Sequence, residues 1–162
     1  MIRVAAIALG SNLASAWGDR EANLREAVKR VAQLGDVRGV SSFYDTAPVG
    51  YTAQPRFLNA AMLLETGLEP MELMRALLEI ERAMGRDRAL VPAKGPRVVD
   101  LDLLLLGDVV SATPELTLPH PAMSERRFVL EPLAEIAPTM IDPFSARTVA
   151  ELLARLDRGT GN

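Results

Sequence analysis

Residues 95–107 read GPRVVDLDLLLLG. Eight of the ten residues after Arg97 are apolar or Gly, yet Asp100 and Asp102 stand among them, two apart. In a strand, successive side chains point to opposite faces. Val99, Leu101, Leu103 and Leu105 then make one apolar face, which predicts packing against helices. Val98, Asp100, Asp102, Leu104 and Leu106 make the other. Both carboxylates project the same way from the first half of the strand, about 6–7 Å apart at Cβ. Like charges that close repel, and on desolvation at least one tends to protonate. A divalent cation removes the conflict, and Mg²⁺ takes one or two carboxylates while filling its shell with water and phosphate oxygens. The plain alternative is an edge-proximal strand with a half-solvated second face. For a D-x-D pair taken alone, that is the commoner case.

The neighbourhood favours chemistry. Arg82, Arg86, Arg88, Lys94 and Arg97 crowd into the residues just ahead of the strand, in a chain whose net charge is −3. Arg82 lies on a helix and reads as an ordinary solvated charge. The rest lie in a loop punctuated by Pro and Gly, and planar guanidinium groups meet phosphate oxygens bidentately. Carboxylates for metal beside arginines for phosphate is the donor set of nucleoside triphosphate use. Other routes are closed. There is no cysteine, which removes disulfides, thiol nucleophiles and Cys-based metal sites. A single histidine, His120, removes a His-rich zinc site, and no Ser/His/Asp ordering stands out around it. No GxxxxGK[ST] phosphate loop occurs, and LGSN (9–12) is too short for a glycine-rich dinucleotide fingerprint. The PHP run at 119–121 reads as a rigid turn, brought into a phosphate context by Arg126 and Arg127.

At 162 residues, 49% hydrophobic and 24% charged, the chain is expected to be one globular domain over 1–162. The acidic balance argues against a nucleic-acid coat protein. No signal peptide and no apolar run approaching membrane length is present, so a cytoplasmic protein without membrane attachment is expected. Along the chain, 3–9 read as a buried strand ending at the GSN turn. A helix follows from an Asp19 N-cap to Gly35. Residues 37–44 and 57–65 read as strands around a loop at 46–55, and Pro70 and Gly85 bracket a second helix. A loop leads to the strand 98–106. The order β-α-β-β-α-β predicts an α+β fold, a ferredoxin-like βαββαβ core with helices packed on an antiparallel sheet. C-terminal extensions follow: a short helix near 130–136 and a last helix opened by a Thr148/Glu151 capping box.

Read in order, ALGSNL, SSFYDTAPVG, QPRFLNAAMLLET, GRDR, GPRVVDLDLLLLG and LTLPHPAMSERRFVLEPLAEIAP resemble the hydroxymethyldihydropterin pyrophosphokinases of folate biosynthesis, over about residues 4–143. The resemblance implies transfer of diphosphate from ATP to 6-hydroxymethyl-7,8-dihydropterin, giving AMP, with two Mg²⁺ held by Asp100 and Asp102. Arg86 and Arg97 would engage the transferred phosphates. Glu81, Arg88, Thr117, His120 and Arg126 would lie on the ATP side, with Leu103 at the adenine. The pterin would stack between Phe57 and Phe128, its polar edge read by Thr46, Asn59 and backbone at Ala47, Pro48 and Val49. A stand-alone monomer acting on small molecules is implied, with no nucleic acid and no membrane partner. Phe57 and Asn59 share a strand face on the residue pattern alone, a flat ring beside a donor–acceptor amide.

The chain departs from the family pattern at several points. Lys94 stands where many members carry Trp, Glu115 where a basic residue is common, Phe57 where Tyr is common, and ASAW (14–17) reads as a small insertion. Two rival functions are set against the resemblance. A metal-dependent phosphohydrolase or nucleotidyltransferase would use the same aspartates without needing a pterin. An RNA-binding sheet would need displayed aromatics and a basic surface, whereas only 4% of residues are aromatic.

Overall fold

The computed structural model describes residues 1–47, 55–85 and 97–159. Its centre is strand β1 (Arg3–Ser11), paired antiparallel on one side with β4 (Phe57–Thr66) and on the other with β5 (Asp100–Leu106). Strand β2 (Asp36–Val40) and the short β3 (Tyr44–Thr46) both pair with β4, so the main sheet runs β2-β4-β1-β5. Two helices lie between strands, α1 (Arg20–Val31) and α2 (Pro70–Ala83). That is the expected βαββαβ core. Two small hairpins, β6–β7 (Ser111–Ala112, Thr117–Leu118) and β8–β9 (Ile141–Asp142, Arg147–Thr148), come later, with helices α3 (Arg127–Ile136) and α4 (Val149–Gly159).

Local signals set these elements. Asp19 caps α1, its carboxylate accepting from the Ala22 N–H at 2.9 Å. Pro70 opens α2, and Gly85, at φ +98°, ends the turn beyond it. Thr148 and Glu151 form the expected reciprocal box at the start of α4, with bonds of 3.1 and 3.0 Å. Gly35 sits where a Cβ would lie 2.1 Å from the Glu65 carbonyl oxygen, so β2 can enter the sheet only without a side chain there.

The sheet is covered on both faces. Ile7, Leu9, Met62, Leu64, Leu101 and Leu103 meet α1 and α2 on one side. Ala6, Ala61, Leu104 and Leu105 meet Leu130 and Leu133 of α3 and Val149 of α4 on the other. Strict alternation along β5 is therefore corrected past Leu103. The register with β1 shifts between Ala6 and Ile7, leaving Leu104 as an extra residue. Leu105 turns to the α3 face and Leu106 returns to the α1 face.

Two other expectations are adjusted. The segment 37–44 is two strands, because the Ser41 hydroxyl takes the Ala61 N–H at 2.9 Å in place of a ladder carbonyl. Strand β5 starts at Asp100 rather than at residue 98. The segment 14–17, read above as an insertion, lies in a tight closed turn: Ser15 and Gly18 exchange backbone bonds of 2.8 and 3.0 Å. Its Trp17 ring carries the Arg30 guanidinium at 5.3 Å from its centroid. Among the described residues no helix is long and apolar enough to cross a membrane.

Helix α3 is pinned to β3 by an exposed cluster. Glu135 accepts from the Tyr44 hydroxyl at 2.6 Å, from the Ser42 N–H at 2.9 Å and from the Ser42 hydroxyl at 3.1 Å. The bond to Glu135 pushes the Tyr44 phenol up to about 12, and the same bonds hold the Glu135 carboxyl below its ordinary range. Because the folded phenol keeps its proton longer, this link stabilises fully below pH 10 and is lost as pH rises through about 12. A phenolate absorbance titration is expected to show one of the two tyrosines ionising near 12. Tyr44→Phe removes that component and leaves the other.

Candidate active site

The register of three strands builds the site. Gly10 on β1 lies opposite Asn59 on β4 and opposite Asp100 on β5. Directly opposed residues in an antiparallel ladder share a face. Asn59, Gly10 and Asp100 thus form one row across the sheet, on its α3 side. The next row is Ala61, Ala8 and Asp102. A Cβ at Gly10 would stand 3.1 Å from the Asn59 amide oxygen and 3.7 Å from the Phe57 ring, so glycine keeps the space between the two halves open. Ala8 in the second row is likewise small.

On the β4 side, Phe57 and Asn59 are partly buried and buried, and Asn59 donates its amide to the Thr46 hydroxyl. Thr46 is paired with Phe57, which brings three of the residues expected at the pterin into one cluster. Ala47 follows, exposed. Pro48 and Val49 lie outside the described residues.

On the β5 side, Asp100 and Asp102 are half-buried on the α3 face. The Arg97 guanidinium donates to Asp100 at 3.2 Å, with only 10% of its side chain exposed. It also sits over the Phe57 ring at 5.5 Å, so one arginine touches both halves. The donor set fits a hydrated Mg²⁺: two carboxylates from adjacent rows, with no group of three or more His, Cys, Asp or Glu able to cage a metal among the described residues. Arg86 and Arg88 lie outside the described residues.

His120 approaches from the segment after β7, its N–H donating to the Leu104 carbonyl at 2.9 Å. Burial lowers its pKa below 6.5; the Arg126 charge lowers it further, against a smaller opposing pull from Asp100. His120 thus feels the charges of both Arg126 and Asp100. Its Nδ1 accepts the Ala122 N–H at 3.2 Å, so the neutral ring carries its proton on Nε2 and can donate there. Arg126 lies over the Phe128 ring at 5.7 Å, at the start of α3. Thr117 is exposed on β7, its hydroxyl donating to the Thr113 carbonyl at 3.2 Å.

Two of the residues expected on the ATP side are buried. Leu103 is 2% exposed and belongs to the core under α1 and α2, on the sheet face opposite the aspartates. Glu81 is also 2% exposed, its carboxylate accepting the Leu101 N–H at 2.7 Å. It holds the edge strand at the residue between Asp100 and Asp102. Glu115 lies on the surface opposite Arg75 at 3.9 Å. The residue that sequence reading passed over is Asn12, 2% exposed, which accepts the Arg97 N–H at 2.7 Å and donates to the Pro55 carbonyl at 3.1 Å. Its one signal was a polar amide directly after a buried strand.

The sequence profile of the family described as 7,8-dihydro-6-hydroxymethylpterin-pyrophosphokinase (HPPK) matches residues 6–138. The chain is 48% identical over 138 residues to the 2-amino-4-hydroxy-6-hydroxymethyldihydropteridine pyrophosphokinase of Bacillus subtilis, covering 84% of this chain and 79% of that protein. The Pseudomonas aeruginosa protein of the same name is 43% identical over 154 residues, covering 95% and 92%. Among solved structures, a Plasmodium falciparum HPPK-DHPS superimposes with a TM-score of 0.74 at 14% identity. That match covers 96% of this chain and 45% of the other, and at such identity it speaks for the fold.

Because His120 is the only histidine, its proton resonances can be followed without ambiguity. In the ligand-free protein its titration is expected below 6.5, and Arg126→Gln should move it upward by removing a like charge. A titration at or above 6.5 in the wild-type protein contradicts the buried placement.

Proposed function

The chain belongs to the 7,8-dihydro-6-hydroxymethylpterin-pyrophosphokinase family and is an ATP-dependent diphosphotransferase; we propose that Asp100, Asp102 and Arg97, with Arg86, carry its reaction. It transfers the diphosphate of ATP to 6-hydroxymethyl-7,8-dihydropterin and releases AMP, a step of folate biosynthesis. The observation that carries the residue assignment is the row Asn59–Gly10–Asp100, which sets a heterocycle-reading amide and a phosphate-side carboxylate on one face with a glycine between them.

In this reading the pterin stacks between Phe57 and Phe128, with Asn59, Thr46 and the backbone of Ala47, Pro48 and Val49 at its polar edge. The nucleotide lies across Glu81, Arg88, Thr117, His120 and Arg126, with Leu103 at the adenine. The alcohol oxygen of the pterin forms a bond to the β-phosphorus of ATP, and the bond from that phosphorus to the oxygen of the α-phosphate breaks. The alcohol proton passes to solvent, and AMP departs with the electron pair of the broken bond. No covalent enzyme intermediate is needed, so a chain without cysteine suffices. Bound through Asp100 and Asp102, Mg²⁺ (two ions in this reading) supplies charge neutralisation on the phosphate oxygens.

The chain's own residues do the rest. Arg97 and Arg86 engage the transferred phosphates, and Arg97 is already held at Asp100 and at the Phe57 ring. His120, its pKa held below the ordinary value by burial, would donate from Nε2 to a phosphate oxygen. Positioning and neutralisation supply most of the rate in such a site. The working unit in this reading is a monomer, a single domain over 1–162, in the cytoplasm where ATP is found.

Incubation with ATP, Mg²⁺ and the pterin should release AMP only when the pterin is present. ATP cleavage without pterin would return the assignment to a phosphohydrolase. Asp100→Asn and Asp102→Asn should each lower turnover on the order of a hundredfold or more at saturating Mg²⁺. Near-normal turnover in either variant sinks the metal assignment.

A further inference from the structure

Asn12 stands one residue beyond the end of β1, where the ladders to β4 and β5 stop. Its backbone N–H donates to the Arg97 carbonyl at 3.1 Å, and its side-chain oxygen accepts the Arg97 N–H at 2.7 Å. Its side-chain NH₂ donates to the Pro55 carbonyl at 3.1 Å. Arg97 is three residues before Asp100, and Pro55 is two residues before Phe57. One buried amide therefore spans the entries of both strands that carry the site, the phosphate side through its acceptor and the pterin side through its donor. Asp lacks the donor, Ala lacks both, and each leaves a main-chain group without its partner in a place that is 2% exposed.

The guanidinium of Arg97 is what this placement sets. It reaches Asp100 at 3.2 Å and the Phe57 ring at 5.5 Å from a side chain only 10% exposed. A backbone shift at Arg97 moves that group relative to both substrates at once. We propose that Asn12 is a positioning residue of the transfer reaction, holding Arg97 and the entry to β4 in a fixed relation so that the two substrates meet in line. The inference rests on the pyrophosphokinase reading of the site.

The test is steady-state kinetics with ATP and pterin varied separately, alongside melting temperature, on the wild-type protein and three variants. Asn12→Ala loses both arms and should lower kcat on the order of a hundredfold, the cost typical of a displaced catalytic group. Asn12→Asp keeps the acceptor for Arg97 and loses the donor to Pro55. It should raise the KM for pterin about tenfold while the KM for ATP moves by less than about threefold. Thr66→Val is the structural control. It removes a buried hydroxyl that bonds the Leu34 carbonyl at the opposite end of the β1–β4 pair. It should lower the melting temperature with kcat and both KM values within about twofold of wild type.

The proposal is overturned if Asn12→Ala behaves like Thr66→Val, if Asn12→Asp moves both KM values alike, or if neither Asn12 variant folds. The last result would make the amide a requirement of the fold alone. A wild-type protein that releases no AMP in the presence of pterin overturns the functional reading itself, and this inference with it.

Discussion

The constraint on which everything else depends is the pairing of β1 with β4 and β5 at once. Because both ladders are antiparallel, every residue of β1 has a defined partner on each side, and opposed partners share a face. At Gly10 the partners are Asn59 and Asp100. A slip of one residue in either ladder would send Asn59 or the aspartates into the helices of the other face. The apolar partners forbid that slip. Ile7, Leu9, Met62, Leu64, Leu101 and Leu103 are buried against α1 and α2, so the register that fills the core also aims the polar groups.

The site makes use of a sheet edge. Among the described strands β5 pairs with β1 alone, and its Leu101 N–H is taken by the buried Glu81 carboxylate. An edge strand is normally a hazard for unwanted pairing. Here a side chain from α2 closes it at the position between the two aspartates. Farther along, the extra residue at Leu104 turns Leu104 and Leu105 together toward α3, so the strand serves one layer and then the other. The carboxylates come before that irregularity and keep simple alternation, which is why the sequence pattern located them correctly.

Charge in this molecule is local rather than global. The chain is net acidic, yet guanidinium groups cover both rings proposed to hold the pterin, Arg97 over Phe57 and Arg126 over Phe128. Each arginine also acts on a second group, Arg97 through its ion pair with Asp100 and Arg126 through its charge on His120. Planar cations on aromatic faces stay oriented at small cost in side-chain freedom. The result is a site whose two halves share their cations, consistent with a reaction that joins two bound substrates.

Much was legible in the sequence because it rests on periods and on neighbours close along the chain. Alternation put Asp100 and Asp102 on one face, Asp19 and the Thr148/Glu151 pair announced their helices, and the β-α-β-β-α-β order implied the sheet. What stayed hidden depends on contacts between distant segments. The burial of Leu103 under two helices joins segments far apart along the chain. So does the bond by which the Glu81 carboxylate accepts the Leu101 N–H of β5. Asn12 was one polar residue in a turn until folding brought position 97 and position 55 to its two ends. By itself, then, the sequence determined which residues share a face, because backbone geometry sets that locally. Tertiary structure decided which faces meet and which buried polar groups must be satisfied, because desolvation and hydrogen bonding act through space without regard to order along the chain.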